Sequence, residues 1–374
     1  MPPLSMLIKP ASSLCNLNCR YCFYHDIAEN RTISSHGIMS DEVLEMLITK
    51  SLQFADKQCT FAFQGGEPTV AGLDFFKKVI DLQKKLNVKR VKIDNALQTN
   101  AMVINTEWAK FLSENHFLVG VSLDGPRDVH NANRIDALQK GTFDRVMSAI
   151  DILRKEKVDF NILSVVTGWS ARHADKIYRF FKKEGFQYLQ FIPCLDPLHE
   201  EPFQHAHSLT PDRYTTFLIT LFDLWYHDMM YDSPLSIRWF DNLAGMMLGM
   251  PPEACGMFGE CTCQYVIESD GSVYPCDFYV LDEWKVGNIM HDGFAEMRES
   301  DTAQKFIQSS RAVDPKCSLC KWKNLCRGGC RRSREPYKNE LLNVNQYCDS
   351  YQAFFEHAVS GLQTVATKYS QNQR

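Results

Sequence analysis

The 374-residue sequence predicts an α/β fold built on a parallel sheet, continued by a cysteine-rich C-terminal extension. Three features carry that prediction. Short β-type runs alternate with longer helical patterns in the first half. Glycines, acids and amides cluster just after those runs. Nine of the fourteen cysteines lie between Cys255 and Cys348.

The β-type runs are Met6–Pro10, Thr60–Gln64, Val91–Gln98, Leu118–Leu123, Phe160–Val166 and Tyr188–Ile192. Segments of helical period lie between them at Asp41–Ala55, Leu73–Leu86, Glu107–Glu114, Phe143–Lys155 and Ala171–Lys183. Ser40 is placed as an N-cap, with Asp41 and Glu42 in the first turn where the helix dipole favours acids. Gly185 closes the helix that ends at Lys183. Six strands with helical crossovers fit a parallel sheet, open or closed into a barrel. The loops Gly65-Gly66-Glu67-Pro68, Thr99-Asn100, Asp124-Gly125-Pro126 and Cys194-Leu195-Asp196 then share the carboxyl face of the strands, where such folds bind ligands.

Residues 197–254 read as helical and aromatic, most clearly Tyr214–Asp228, and a terminal helix is expected over Ala353–Lys368. The expected division is residues 1–200, a helical bridge at 201–254, and a cysteine-rich domain at 255–374.

The formal net charge of −4 gives no global field to gather nucleic acid or an anionic membrane. The local basic run from Lys321 to Arg334 contains cysteines and reads as a solvated or cluster-flanking face. No apolar stretch approaches the roughly 20 residues of a membrane helix. The segment Met1–Lys9 lacks a charged leader, a long apolar region and a small-residue cleavage site, so a cytoplasmic protein is expected. Fourteen cysteines in a reducing compartment point to metal ligation and away from disulfides.

Cys15, Cys19 and Cys22 form a C-x3-C-x2-C group in the loop after the first strand. Three thiolates hold three irons of a [4Fe-4S] cube and leave the fourth iron open to a small molecule. The alternative is zinc with a distant fourth ligand such as His25, although structural zinc usually pairs its cysteines. With Tyr21 before Cys22, the segment resembles the signature of the radical S-adenosylmethionine superfamily. Gly65-Gly66-Glu67-Pro68 resembles that superfamily's loop for the methionine amino group, where Gly65 and Gly66 permit close backbone approach and Glu67 offers an acceptor. The resemblance implies S-adenosylmethionine as cofactor and a partial (β/α)6 TIM-like barrel. It also implies Tyr24 near the adenosine, Ser122 at the end of the fourth strand, Arg134 on the methionine carboxylate and Leu195 against adenine.

The run Cys317-x2-Cys320-x5-Cys326-x3-Cys330-x17-Cys348 resembles the SPASM extension of peptide-modifying members. Two further [4Fe-4S] clusters, fully ligated, take eight thiolates. By resemblance, Cys255, Cys261, Cys276 and Cys330 hold one cluster, and Cys317, Cys320, Cys326 and Cys348 the other. Cys59, Cys194 and Cys263 are left as non-ligands, with Cys263 a rival to Cys261. Structural zinc is the alternative, since spacing does not identify a metal.

Most of the chain resembles the anaerobic sulfatase-maturating enzymes. The likeness runs through Met6-Leu-Ile-Lys-Pro10, Phe61–Pro68, Leu97–Asn100, Trp108–Leu112, Cys194–Pro197 and Ser269–Tyr279; Leu14 departs from it, standing where a small residue is usual. It implies oxidation of a cysteine or serine in a sulfatase to Cα-formylglycine, begun by a 5′-deoxyadenosyl radical that takes a hydrogen from Cβ. The substrate is a sulfatase polypeptide with a Cys/Ser-x-Pro-x-Arg motif, and a flavodoxin- or ferredoxin-type protein delivers the electron. Losing a further proton and electron requires a base and an acceptor. Asp277 is the expected base, with Asp196, Asp124 and Glu67 as other acids on the active face, and the auxiliary clusters accept or relay the electron. A peptide maturase forming a thioether or carbon–carbon crosslink is the second reading, and a zinc-organised scaffold or RNA-binding protein the third.

Overall fold

The computed structural model describes residues 3–335 and 343–372. Its strands are β1 (Leu4–Ile8), β2 (Gln58–Phe63), β3 (Lys92–Thr99), β4 (Leu118–Ser122), β5 (Phe160–Val166), β6 (Tyr188–Pro193), β7 (Ser236–Ile237), β8 (Val266–Ile267), β9 (Ser272–Tyr274) and β10 (Gly287–Asn288). The fold is α/β with a parallel sheet and a cysteine-rich C-terminal region, as expected. The chain forms two compact units, and both are discontinuous in sequence. The first holds residues 1–122, 134–160 and 262–306; the second holds 123–133, 161–261 and 307–374. That division follows a different line from the sequence boundaries near 200 and 255.

In the first unit, β1 to β4 pair side by side in parallel, with Leu4 opposite Cys59, Gln58 opposite Lys92 and Ala96 opposite Leu118. Long crossover helices connect them, as a parallel sheet requires. Ser40 caps its helix as expected, accepting from the Val43 N–H at 3.3 Å. The helix Leu73–Leu86 buries Phe75, Phe76, Val79 and Ile80 on one stripe, and Phe76 packs edge-on to Phe63, Trp108 and Phe117. These aromatic pairs add about 0.5–1.5 kcal/mol each beyond the area they bury.

The sequence points to a hairpin around Gly271 but not to its pairing as the other edge of this sheet. β8 lies parallel to β1, with Leu7 opposite Val266, and the β8–β9 hairpin turns at Gly271, whose φ is 83°. The hairpin thus brings Cys276 and Asp277 into the unit that carries the first cysteine loop. Two-residue strands give too little alternation to be read from sequence.

In the second unit, β5, β6 and β7 are parallel. The expected Ala171–Lys183 helix begins as a 3-10 turn at Ser170–His173, because Thr167 and Ser170 exchange hydroxyl-to-backbone bonds of 2.7 and 3.2 Å there. The bridging helix is longer than its apolar period, Pro211–Tyr231, with proline in the first turn where its missing N–H costs nothing. It packs on the terminal helix Cys348–Asn372 through Phe222 and Phe354, with Trp225 and Phe240 completing a buried aromatic core. No helix among the described residues is long and apolar enough to cross a membrane.

Candidate functional site

The loop Cys15–Cys22 follows β1 and ends where Cys22 caps the short helix Phe23–Glu29. The Leu17 N–H points to Cys15 Sγ at 3.4 Å, and the Asn100 amide reaches the same sulfur at 3.7 Å. Cys19 and Cys22 line an open polar groove of about 380 Å3 with Asn18, His25 and Ile135. Burial pushes the Cys15 thiol up to about 12, and Glu67, Cys19 and Cys22 add to that rise. A buried thiol beside two others carries negative charge only where a cation offsets the cost of burial, which fits the donor set of an iron cube. Among the described residues, no group of three or more Cys, His, Asp or Glu is drawn up around a single ion position.

The glycine loop after β2 is shaped by its own chain. A Cβ on Gly66, at φ 54°, would collide with the carbonyl oxygens of Leu14 and Ser12, so glycine lets this loop lie against the cysteine loop. Glu67 is 1% exposed and accepts four hydrogen bonds: from Thr69 N–H (3.1 Å), Thr69 Oγ1 (2.6 Å), Thr99 Oγ1 (2.7 Å) and Asn100 N–H (2.7 Å). Its carboxylate ties the ends of β2 and β3 together, and burial still raises its proton affinity. Ser122, buried at the end of β4, accepts from the Gln98 amide at 3.2 Å. Buried Arg134 lies over the Tyr21 ring at 5.5 Å and draws the Cys22 thiol down, against the larger upward push of burial.

Asp277 follows Cys276 in a 3-10 turn and is 7% exposed. Its Oδ2 accepts from the Tyr24 hydroxyl at 2.6 Å and the Gln64 amide at 3.2 Å, and Gln64 also donates to Tyr24 at 3.0 Å. Its Oδ1 is buried with no hydrogen-bond partner among the described residues. Burial lifts the Asp277 carboxyl above its ordinary range; Lys9, Tyr24 and Gln64 pull it back. Tyr24 is raised well above the usual phenol range by burial and by Asp277, so it stays a donor. Tyr24 therefore sits on the acid. Gln64 and Lys9 escaped the sequence reading; a polar residue just before the glycine loop and a lysine closing an apolar strand were the available signals.

The remaining acids belong to the second unit. Asp196 accepts from Ser208 Oγ and from the Phe203 N–H at 3.0 Å, and Asp124 accepts from the Val165 N–H at 3.0 Å. Leu195, half-buried, accepts from the Cys194 thiol through its carbonyl at 3.6 Å. Cys317, Cys320, Cys326 and Cys348 surround a cavity of about 390 Å3, walled also by Trp322 and Phe355. Cys330, four residues from Cys326, is coupled to Cys255 and Cys261 instead, which help burial push it up to about 12. The thiols of this unit thus fall into two neighbourhoods, Cys317, Cys320, Cys326 and Cys348 in one and Cys255, Cys261 and Cys330 in the other. Cys276 and Cys263 belong to the first unit, where burial pushes Cys263 up to about 11. Cys59 and Cys194 are simply buried.

A partial parallel sheet with a three-cysteine loop, followed by two further thiol sets, defines a radical S-adenosylmethionine enzyme with auxiliary clusters. Residues 10–181 match the radical SAM superfamily and residues 255–321 the SPASM iron–sulfur cluster-binding domain. The chain is 54% identical to the cysteine-type anaerobic sulfatase-maturating enzyme of Clostridium perfringens, over 98% of this chain and 99% of that one. It is 32% identical to the serine-type enzyme of Bacteroides thetaiotaomicron, over 95% and 89%. Native anSMEcpe solved with AdoMet and the Kp18Cys peptide superposes with a TM-score of 0.95 at 52% identity, covering 98% of this chain and 100% of that one. The chain belongs to the anaerobic sulfatase-maturating enzyme family. SuiB of Streptococcus suis, at 16% identity and a TM-score of 0.65, shares the fold.

Proposed function

We propose that this enzyme oxidises the target cysteine of a sulfatase polypeptide to Cα-formylglycine, using S-adenosylmethionine and three [4Fe-4S] clusters. The observation that carries the chemistry is Asp277: a buried carboxylate with one oxygen held by Tyr24 and Gln64, the other without a partner among the described residues. Identity of 54% to the cysteine-type enzyme, against 32% to the serine-type, supports cysteine as the preferred target.

Cys15, Cys19 and Cys22 would hold the first cluster, with Gly65, Gly66, Ser122, Arg134 and Leu195 around the cofactor. Arg134 contributes the cation for a carboxylate. Glu67 contributes through the loop it ties, since its oxygens already accept four bonds. When bound, the cofactor supplies the radical that removes a hydrogen atom from the target Cβ. Asp277 Oδ1 then takes the proton of the neighbouring S–H, while Tyr24 and Gln64 fix the carboxylate by holding Oδ2. Such orientation matters as much as basicity. The remaining electron would pass to an auxiliary cluster, and water would hydrolyse the resulting thioaldehyde to the aldehyde with loss of hydrogen sulfide. Cys255, Cys261, Cys276 and Cys330 would hold one auxiliary cluster, and Cys317, Cys320, Cys326 and Cys348 the other.

The substrate would present a Cys-x-Pro-x-Arg motif in an unfolded or nascent sulfatase, and a flavodoxin- or ferredoxin-type donor would deliver the electron. A cytoplasmic setting suits so many free thiols. Anaerobic incubation of reconstituted enzyme with such a peptide, followed by mass spectrometry, tests the reading. A carbonyl at the target residue supports it; a macrocycle would support the crosslinking alternative, and an unchanged peptide would sink the proposal.

A further inference from the structure

Lys9 follows β1 directly and is 1% exposed, one of the largest fully buried side chains of the protein. Its backbone N–H donates to the Ile267 carbonyl at 2.8 Å, which seats it against β8. The stem passes under Gly65, where a Cβ would lie 2.8 Å from Lys9 Cγ and 2.9 Å from Cε. Any side chain at position 65 would push the lysine aside, so this glycine makes room for Lys9. The ammonium ends 4.8 Å over the ring of Tyr24, the tyrosine that donates to Asp277.

Among the described residues the ammonium has no acceptor at hydrogen-bond or ion-pair distance, though it acts through space on the Asp277 carboxyl and the Cys22 thiol and draws both down. A buried charge is costly unless something pairs with it. A ring face offsets part of that cost. Two groups of opposite sense thus stand around one tyrosine: Asp277 Oδ1, a buried acceptor without a hydrogen-bond partner among the described residues, and the Lys9 ammonium held over the ring face.

We propose that Lys9 is a further substrate-contacting residue, its ammonium meeting the sulfur of the target cysteine; the inference rests on the function proposed above. As the S–H bond gives up its proton, the electron pair stays on sulfur. A fixed cation then faces that charge where water is scarce and electrostatic stabilisation is strongest. Lysine suits the task as a compact point charge on a thin stem, able to pass beneath a glycine where a guanidinium is broader.

The test compares cluster-reconstituted parent, K9M and K9R enzymes. Methionine keeps an unbranched stem under Gly65 and drops the charge; arginine keeps the charge. Iron content and deoxyadenosine yield should match the parent, and the Tm of K9M should equal or exceed the parent's, since a buried charge is lost. By fluorescence anisotropy, a labelled Cys-x-Pro-x-Arg peptide should bind K9M roughly three- to tenfold more weakly, while the same peptide with alanine at the target position binds both proteins equally. Formylglycine formed per deoxyadenosine should fall about tenfold or more in K9M and recover in part in K9R. Equal affinity of parent and K9M for the cysteine peptide would overturn the proposal. So would an equal loss with the alanine peptide, or a parallel fall of deoxyadenosine and formylglycine, which would make Lys9 a packing or cofactor residue. The binding comparison needs no turnover, so a parent that binds but fails to convert the peptide would count against the proposed function and leave the Lys9 result standing.

Discussion

The turn Cys276–Tyr279 in the first unit and the loop from Cys194 to Ser208 in the second each bury an aspartate, at 7% exposure for Asp277 and 9% for Asp196. They use it differently. Asp196 gives one oxygen to Ser208 and the other to the Phe203 N–H, closing its own loop. Asp277 gives one oxygen to Tyr24 and Gln64 and leaves the other without a partner among the described residues. Burial and residue type are the same, so neither marks a base. The unmet lone pair is what supports the base proposed at Asp277, because proton transfer needs a free acceptor within hydrogen-bond reach.

The comparison can be broken at its root by removing the radical source. Replacing Cys15, Cys19 and Cys22 together by alanine should abolish deoxyadenosine formation and lower bound iron from about twelve to about eight per chain, three cubes becoming two. Iron assay and chromatography check this; an unchanged iron count would remove the cysteine loop from cluster binding.

The contrast between the acids is sharpened next. Asp277→Asn keeps the shape and should lower formylglycine by a factor of roughly 100 or more, the usual weight of a general base, while deoxyadenosine still forms. Parallel loss of both products would give Asp277 a supporting role. Asp196→Asn should leave formylglycine within about threefold of the parent and lower stability by about 1 kcal/mol, the worth of one imperfectly replaced hydrogen bond. Thermal unfolding and product yield separate the two effects. A large loss of formylglycine in Asp196→Asn, with little in Asp277→Asn, would exchange their roles.

The smallest effect concerns a third acid, which neither reacts nor closes a turn. Asp241 accepts from Ser236 Oγ at 2.6 Å and Tyr369 Oη at 3.5 Å, and burial raises its carboxyl to about 6. A raised carboxyl favours the fold when protonated. That contribution is complete below the unfolded value near ~3.9 and is lost as pH rises through about 6. Asp241→Asn should match the parent's Tm at pH 4 and exceed it by about 1–3 °C at pH 7.5. A constant difference across that range would refute the linkage.

Much of the fold was legible because the first half repeats one unit. The helices Leu73–Leu86 and Phe143–Lys155 and the strand Phe160–Val166 appear where the apolar periods place them. The three-cysteine loop was readable as one group because C-x3-C-x2-C spacing keeps its thiols close along the chain, and Cys19 and Cys22 line one groove. Other features depend on distant partners. Glu67 reads as an acceptor for a ligand, yet four donors from β3 and its own turn occupy it. Gly65 reads as room for a ligand, yet its missing Cβ makes room for Lys9.

The sequence by itself determined the alternating architecture, the cysteine sets and the glycine loop, since periodicity and short spacing act within a few residues along the chain. Only the tertiary structure decided which acid keeps a free oxygen. Asp277 meets Tyr24 across 253 positions and Gln64 across 213 because β8 pairs with β1. Hydrogen bonds saturate. Whether a buried carboxylate is already satisfied depends on every donor that the fold folds back upon it, and no local pattern carries that count.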